Sequence, residues 1–190
     1  AVDLKFPIAL GQRKPLVTPG MTTLAASGNT ACVVTTTAGV FCWGDGTSRQ
    51  LANAANSAGE PVKINGVENA TTVAVGGPHV CATVDMNVSG RVKCWGARDS
   101  GQLGDGVVDV SPQQTPQYVT IQIGNLQLVA NATSTLVAQG GDVGGGATEN
   151  IGSSCLLRDG RPYCWGSGHL GQMGNGQFVD RAADAGVNQT

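Results

Sequence analysis

The sequence has few charged and few aromatic residues. Of its 190 residues, 13% are charged and 4% are aromatic, and only 2 are histidine. Lysine and arginine number 11 and aspartate and glutamate 13, so the net charge is −2, and no basic run occurs. Binding to nucleic acid needs clustered positive charge to neutralise phosphates. We therefore expect no nucleic acid partner.

The chain also lacks long apolar runs. A transmembrane helix needs roughly 18 or more consecutive apolar residues, and none are found here, so we expect no insertion into a membrane. What the sequence has instead is 29 glycines, 41% apolar residues, and many threonines, valines and asparagines. This composition is typical of an all-β protein rich in turns.

The tripeptide Cys-Trp-Gly occurs three times, and a further cysteine precedes each copy by about ten residues. Together the copies use all 6 cysteines and all 3 tryptophans. Between the two cysteines of each copy, two apolar runs flank a glycine-containing turn, which predicts a β-hairpin with one cysteine on each strand. The sequence therefore predicts a repeat protein with one disulfide in each repeat: Cys32–Cys42, Cys81–Cys94 and Cys155–Cys164.

Paired disulfides indicate an oxidising compartment, so we expect a secreted or cell-surface protein. The alternative, six reduced core cysteines in a cytosolic protein, stays open. A zinc site is disfavoured because zinc-binding cysteines usually stand two to four residues apart, and neither His79 nor His169 completes such a spacing. We expect no metal and no cofactor.

The second copy carries the fullest motif. Residues 76–81 read Gly-Gly-Pro-His-Val-Cys and residues 101–106 read Gly-Gln-Leu-Gly-Asp-Gly, which residues 171–176 repeat as Gly-Gln-Met-Gly-Asn-Gly. Together with Cys-Trp-Gly, these residues resemble the repeat of the regulator of chromosome condensation family. The resemblance implies an all-β fold of β-propeller-like blades, each a four-stranded sheet, around a central axis. The family usually closes a full ring, whereas this chain carries about three blades, so a partial or unusual propeller is expected.

We expect a single domain of three such repeats over residues 1–190. The repeats are predicted at roughly 14–60, 61–115 and 116–190. An incomplete ring leaves an unpaired blade face at each end, and stacked repeats need such faces covered. We therefore expect the blade ends to be covered by residues 1–13, by the insertion, by another subunit of a homo-oligomer or by a larger parent chain.

Some strands can be placed within these repeats. The apolar residues 126–130 are interpreted as the strand that opens the third repeat, and about residues 131–150 as an insertion. Proline in a strand implies an edge position. Outer edge strands are accordingly predicted at residues 14–17, 60–64 and 115–119.

No catalytic set stands out, and we expect no enzyme. His79 and His169 have no nucleophile or carboxylate beside them in a recognised pattern, and His79 is interpreted as a hydrogen-bonding turn residue. The tryptophans are expected to be buried. Several aspartates in glycine-rich loops are interpreted as turn carboxylates, because no calcium-binding loop is present: Asp45, Asp99, Asp105 and Asp142.

Recognition on a rigid β scaffold usually lies in loops that differ between repeats. We interpret the chain as a recognition or adhesion module, such as the tip adhesin of a bacterial pilus, that binds a surface glycan (for example lipopolysaccharide) or a surface protein. The alternative is a secreted proteinaceous enzyme inhibitor. Guanine-nucleotide exchange is disfavoured by the paired cysteines and the negative charge, and a lyase lacks a catalytic residue. The candidate ligand-binding residues are Arg98, Asp99, Asp142, Asn150, Ser167 and His169.

Overall fold

The computed structural model describes residues 21–35, 37, 39–84, 90–123, 126–129, 136–142, 150–158, 160–176 and 188–189. These residues form β-strands and no helix, so no helix in this part of the chain is long and apolar enough to cross a membrane. The strands form three four-stranded antiparallel sheets and one two-stranded hairpin. The predicted all-β fold is confirmed.

The strands of each four-stranded sheet follow one another in chain order. Sheet 1 contains β1 (Met21–Ser27), β2 (Thr30–Thr35), β3 (Val40–Asp45) and β4 (Ser57–Ile64). Sheet 2 contains β5 (Ala70–Val75), β6 (His79–Val84), β7 (Arg91–Arg98) and β8 (Asp109–Tyr118). The separate hairpin contains β9 (Thr120–Ile123) and β10 (Leu126–Val129). Sheet 3 contains β11 (Leu136–Asp142), β12 (Asn150–Arg158), β13 (Arg161–Gly166) and β14 (Asn188–Gln189).

The sheets divide the chain slightly later than the repeats proposed from the sequence. The proposed boundaries at 60/61 and 115/116 fall inside β4 and β8, because each of these strands pairs with the preceding Cys-Trp-Gly strand and completes its sheet. Pro61 and Pro116 lie on these edge strands, as expected for residues without a backbone N–H. The outer strand predicted at residues 14–17 lies outside the described residues.

The third sheet begins at a different segment from the predicted one. Residues 126–129 pair with β9 in the separate hairpin, and the first strand of sheet 3 is β11, within the segment interpreted as an insertion. Both segments have β-compatible sequences, and only the pairing of Leu136–Asp142 with β12 decides between them. Of residues 131–150, those at 131–135 and 143–149 lie outside the described residues.

The six cysteines form the three predicted disulfides. In each sheet the bridged residues are directly opposite each other on the second and third strands, at a Cα–Cα distance of 4.1 Å. This matches the close spacing of non-hydrogen-bonded antiparallel pairs. The three disulfides are compatible with an oxidising compartment.

Neighbouring sheets pack face to face, and residues along each strand alternate between the two faces. In sheet 2, Trp95 lies in the core shared with sheet 1, whereas Cys81 and Cys94 lie in the core shared with sheet 3. The disulfide of sheet 1 faces sheet 2, and Trp165 of sheet 3 also faces sheet 2. Each of these tryptophans therefore faces the preceding sheet, and each of these disulfides faces the following one.

Candidate functional site

The Cys-Trp-Gly strands β3, β7 and β13 all end on the same side of their sheets, which we call the loop end. It carries loop 1 (residues 46–56), loop 2 (99–108) and loop 3 (167–176). The glycine of the motif makes the exit from the strand possible. In β7, Gly96 has φ of +109°, and a Cβ there would lie 2.6 Å from the carbonyl oxygen of Pro78. Only glycine fits such a position.

The three loops share one internal hydrogen bond pattern. In each, a glutamine side-chain oxygen accepts from the backbone N–H two residues earlier: Gln50 from Ser48 at 2.9 Å, Gln102 from Ser100 at 2.8 Å and Gln172 from Leu170 at 2.7 Å. Equivalent backbone turns surround each glutamine. This side chain closes the turn, so the main-chain carbonyl of the glutamine is held in a fixed direction.

The main-chain carbonyl of this glutamine accepts a hydrogen bond from the tryptophan of the next sheet. The indole N–H of Trp95 donates to the oxygen of Gln50 at 2.7 Å, and that of Trp165 donates to the oxygen of Gln102 at 2.8 Å. Trp95 is 0% exposed and Trp165 is 1% exposed, which confirms the burial predicted for them. Trp43 differs, because it is only half-buried. Trp95 and Trp165 are therefore structural couplings between sheets.

Arg98, a candidate ligand-binding residue at the end of β7, has its partners in loop 2 and β8. Its guanidinium lies 3.6 Å from Asp109 and 3.9 Å from Asp105, and its Nε donates to the carbonyl oxygen of Ser111 at 3.1 Å. Hydrogen bonds from Ser111, with a smaller contribution from Arg98, lower the pKa of the Asp109 carboxyl. Two carboxylates therefore balance the positive charge of Arg98.

Two more candidates have local partners as well. Asp99 accepts a hydrogen bond from the Gln102 side chain at 3.0 Å and is half-buried. The Ser167 hydroxyl lies 2.7 Å from His169 Nδ1, with Ser167 buried and His169 half-buried. The other candidates, Asp142 and Asn150, are paired residues of β11 and β12 at the loop end of sheet 3.

The six candidate residues thus share one end of two adjacent sheets. Arg98 and Asp99 are at the loop end of sheet 2, and the other four are at the loop end of sheet 3. Loop 2 lies against the end of β13 in sheet 3, since a Cβ on Gly166 would lie 3.1 Å from the Cα of Gln102. The structure therefore brings together residues that the sequence separates, and their role in binding stays a proposal.

His79 is the first residue of β6 and is completely buried between sheets 2 and 3. Its Nε2 lies 2.8 Å from the Ser154 hydroxyl, which donates to the carbonyl oxygen of Gln102 at 3.1 Å. Burial lowers the pKa of His79 to about 4, so the ring is neutral at physiological pH. The sequence interpretation missed Ser154, because it lies 75 residues away. A serine–histidine pair with 0% histidine exposure has no access to a substrate.

Two of the aspartates near the loops accept hydrogen bonds from residues two positions later. Asp45 accepts from the N–H and hydroxyl of Thr47, each at 3.0 Å, and Asp105 accepts from the N–H of Val107 at 3.1 Å. This agrees with the predicted turn role for both residues. No group of three or more metal-binding side chains occurs within the portion of the chain that the structure describes.

Comparisons with known proteins agree with this architecture. Residues 38–83 match the sequence model of the Regulator of chromosome condensation (RCC1) repeat. The structure is similar to human WBSCR16, with a TM-score of 0.65 and 17% identity, over 94% of this chain and 39% of that one. It is also similar to Prp20p from Saccharomyces cerevisiae, with a TM-score of 0.50 and 16% identity, over 94% of this chain and 52% of that one.

The three sheets are propeller-like blades of this repeat type. The predicted fold class is therefore confirmed, with each four-stranded sheet as one blade. At these identities the similarity defines the fold alone. The chain spans about half the length of Prp20p and less than half the length of WBSCR16. The activities of those whole proteins are therefore not assigned to this chain.

Proposed function

We propose that this chain is a recognition module of a secreted or cell-surface protein, such as the tip adhesin of a bacterial pilus. The proposed ligand is a surface glycan, for example lipopolysaccharide, or a surface protein, bound at the loop end of sheets 2 and 3. The observation that carries this proposal is the position of the six candidate residues, which come from four separate segments and lie at one end of two touching blades.

A stiff support is the first argument for recognition at this end. Loop 2 and loop 3 each begin shortly after a bridged cysteine, and loop 2 is tied to sheet 3 through the carbonyl of Gln102. Loops fixed before binding lose less conformational entropy when a ligand arrives. Binding residues on rigid scaffolds are commonly placed on such loops.

The chemistry of the loop end is the second argument. Asp99 and His169 are half-exposed hydrogen-bonding groups, while Arg98 is balanced by Asp105 and Asp109. Such a surface suits the neutral hydroxyl groups of sugars, which need donors and acceptors more than net charge. It suits phosphate groups poorly, because phosphate binding depends on uncompensated cations. Within lipopolysaccharide, the proposed contacts are therefore to neutral sugar hydroxyls and not to its phosphates.

The paired cysteines and the overall charge of the chain argue against nucleotide exchange and histone binding as its functions. Prp20p is described by its binding to Gsp1p and histones, and that description applies to the yeast protein. Histone partners are basic, and this chain is nearly neutral, with 11 basic against 13 acidic residues. A protein partner on the loop end stays within our proposal, whereas exchange on a GTPase does not.

A glycan array probed with the oxidised 190-residue chain tests the glycan version. We expect binding that falls at least about tenfold in Asp99→Ala and His169→Ala, since each removes a side chain that would add a hydrogen bond to the ligand. The matched control is Arg161→Ala, which removes an exposed side chain at the opposite end of sheet 3. A blank array combined with a tight protein partner would refute the glycan version, and equal losses in all three variants would refute the site.

Enzyme inhibition is a second candidate because of one specific feature. Val107, Val108 and Val110 are 40%, 41% and 87% exposed at the start of β8, next to the Arg98 network. An exposed apolar segment of this kind suits contact with another protein. Assays against secreted cell-wall and antibiotic-degrading enzymes, with Val110→Asp as the loss-of-contact variant, test this candidate. Unchanged enzyme rates at micromolar protein exclude it.

A further inference from the structure

The imidazole of His79 is enclosed by residues of two different sheets. His79 is 0% exposed. A Cβ on Gly76, between β5 and β6, would lie 2.7 Å from the Nδ1 atom of the ring, and one on Gly152 of β12 would lie 3.0 Å from it. Ser154, also of β12, covers the Nε2 atom at 2.8 Å. The N–H of Gly76 donates to the carbonyl oxygen of His79 at 2.8 Å, so Gly76 is fixed within sheet 2. Water therefore reaches the ring when β12 moves away from β6.

The hydrogen bonds around the ring define its neutral form. The Ser154 hydroxyl has one proton, which it donates to the carbonyl oxygen of Gln102 at 3.1 Å, and a carbonyl can only accept. Nε2 of His79 is therefore the donor to Ser154, and Nδ1 carries the lone pair. Within the described residues, Nδ1 has no hydrogen-bonding partner. A proton added to the ring goes to Nδ1, where it creates a buried N–H without an acceptor, which is costly.

The elements around His79 carry charged and titratable residues mostly at their two ends. At the loop end these are Arg98 of β7, Asp99 and Asp105 of loop 2, Asp142 of β11 and His169 of loop 3; at the opposite end they are Arg91 and Lys93 of β7, Arg158 of β12 and Arg161 of β13; Tyr163 of β13 lies in the shared core. Arg98 and Asp105 pair with each other, and Asp99 accepts from the side chain of Gln102. Burial alone lowers the pKa of His79. Among the described side chains, a proton on Nδ1 therefore has no carboxylate partner.

The contact between sheets 1 and 2 has no titratable group at the equivalent positions. In sheet 1, Thr30 takes the place of His79, since each is paired with the glycine of the adjacent Cys-Trp-Gly strand. Thr30 is 3% exposed and donates to the carbonyl oxygen of Asp45 at 3.0 Å. In sheet 2, Val80 takes the place of Ser154, since each is paired with the tryptophan of that motif. A neutral hydroxyl and an apolar side chain thus stand where sheets 2 and 3 have a histidine and a serine.

We propose that acid selectively opens the contact between sheets 2 and 3: when His79 takes up a proton, β12 separates from β6, while sheet 1 stays packed on sheet 2. The open state is favoured because it hydrates the charged ring, which the closed state does not. Trp165 is directly opposite Ser154 in sheet 3, so this movement also takes its indole away from the carbonyl of Gln102. Such a local opening is distinct from complete unfolding, in which all three sheets are lost. The proposal does not depend on the ligand of the loop end.

Deuterium exchange of the indole N–H groups, followed by NMR on the oxidised chain, measures the two contacts separately. Trp165 reports on sheets 2 and 3 and Trp95 on sheets 1 and 2, and each rate is compared with that of free indole at the same pH. The protection of Trp165 is expected to fall about tenfold per pH unit between pH 6.5 and pH 4, or about 300-fold in total. Trp95 should stay at least about tenfold better protected than Trp165 at pH 4. Equal protection of both indoles at every pH would mean that only complete unfolding exposes them, and would overturn the proposal.

Two variants identify the group that takes up the proton. His79→Asn is expected to abolish the acid-dependent loss of Trp165 protection, whereas His169→Asn, the same substitution at the other histidine, should retain it. A loss that persists in His79→Asn overturns the proposal. Nitrogen NMR of the wild-type imidazole gives a test that needs no variant to fold. The ring of His79 is expected to stay neutral, with its proton on Nε2, from pH 7 down to about pH 4. A ring that becomes charged near pH 6.5 while Trp165 stays protected would also overturn the proposal.

Discussion

The indole N–H of Trp165 donates to the main-chain oxygen of Gln102 at 2.8 Å, and this contact connects sheet 3 to the loop of sheet 2. The same oxygen also accepts from the Ser154 hydroxyl, which lies against His79. One backbone carbonyl thus holds together a tryptophan, a serine and, through the serine, a buried histidine. Substitutions that remove these contacts with the Gln102 carbonyl should therefore lower the free energy of unfolding.

Trp165→Phe is expected to lower the free energy of unfolding by about 2 kcal/mol. The substitution removes a buried hydrogen bond and part of a buried ring, although Ser154 still satisfies the Gln102 carbonyl. Urea unfolding followed by circular dichroism measures the change. Leu24→Ala is the control, since Leu24 is a large apolar residue that is 61% exposed. Equal losses in both variants would contradict the coupling.

Gly104→Ala is expected to destabilise the protein more than Gly174→Ala. Both glycines have positive φ, so each substitution costs about 1 kcal/mol in backbone strain. At Gly104 a Cβ would also lie 2.8 Å from Trp165 Nε1 and 2.9 Å from a methyl group of Val119, which adds about 1–3 kcal/mol of overpacking. Thermal unfolding of the two variants gives the difference directly. If the two midpoints coincide, the indole does not pack on this loop as described.

Replacing both Cys81 and Cys94 by alanine is expected to cost about 3 kcal/mol. The bridge joins residues at a sequence separation of 13, and closing such a loop mainly restricts the unfolded chain. Denaturant unfolding of the variant and of the oxidised parent measures the loss.

Thiol alkylation of the protein as purified from its natural source, without reductant, should label no cysteine. Six labelled thiols would show that the cysteines are reduced and would remove the basis for an oxidising compartment.

Because His79 is buried, the stability of the protein should fall as the pH is lowered from 6.5 to 4. The pKa is about 4 in the folded state and 6.5 in the unfolded reference, so below pH 6.5 only the unfolded chain takes up the proton. The free energy of unfolding then falls by about 1.4 kcal/mol per pH unit, to a total of about 3 kcal/mol. Above pH 6.5 this contribution does not change.

Urea unfolding across this pH range compares wild type with His79→Asn. The variant lacks the titrating ring and should lose most of the slope between pH 6.5 and pH 4, whatever its stability at pH 7. His169→Asn removes the other histidine, at the loop end, and should retain the slope. A parallel pH profile for wild type and His79→Asn would show that His79 is not the source.

Two features with local sequence signals, the disulfides and the edge strands at residues 60–64 and 115–119, were predicted correctly. Each disulfide joins two strands across one turn, and proline marks the edge strands, so both follow from segments shorter than a blade. The buried contact of His79 with Ser154 has no such signal, because the two residues meet only when sheets 2 and 3 pack. The start of sheet 3 at Leu136 was missed for a similar reason, since residues 126–129 have an equally suitable strand pattern.

Two features of the site had signals that the sequence interpretation did not use. The carboxylates that balance Arg98 follow it closely as Asp105 and Asp109, within the same hairpin. The glutamine of each loop recurs in all three copies, as Gln50, Gln102 and Gln172. A polar residue that recurs at the same place in every copy indicates a structural role. The sequence does not show that the main-chain oxygen of this glutamine accepts from an indole N–H, because the two groups meet only when the blades pack together.

A blade such as sheet 2 contains both the indole that bonds to the preceding blade and the carbonyl that accepts from the following one. Tandem duplication of the underlying gene segment therefore adds a module without requiring compensating substitutions elsewhere. Chains with this design can lengthen or shorten during evolution by whole units, while their variable loops diversify independently.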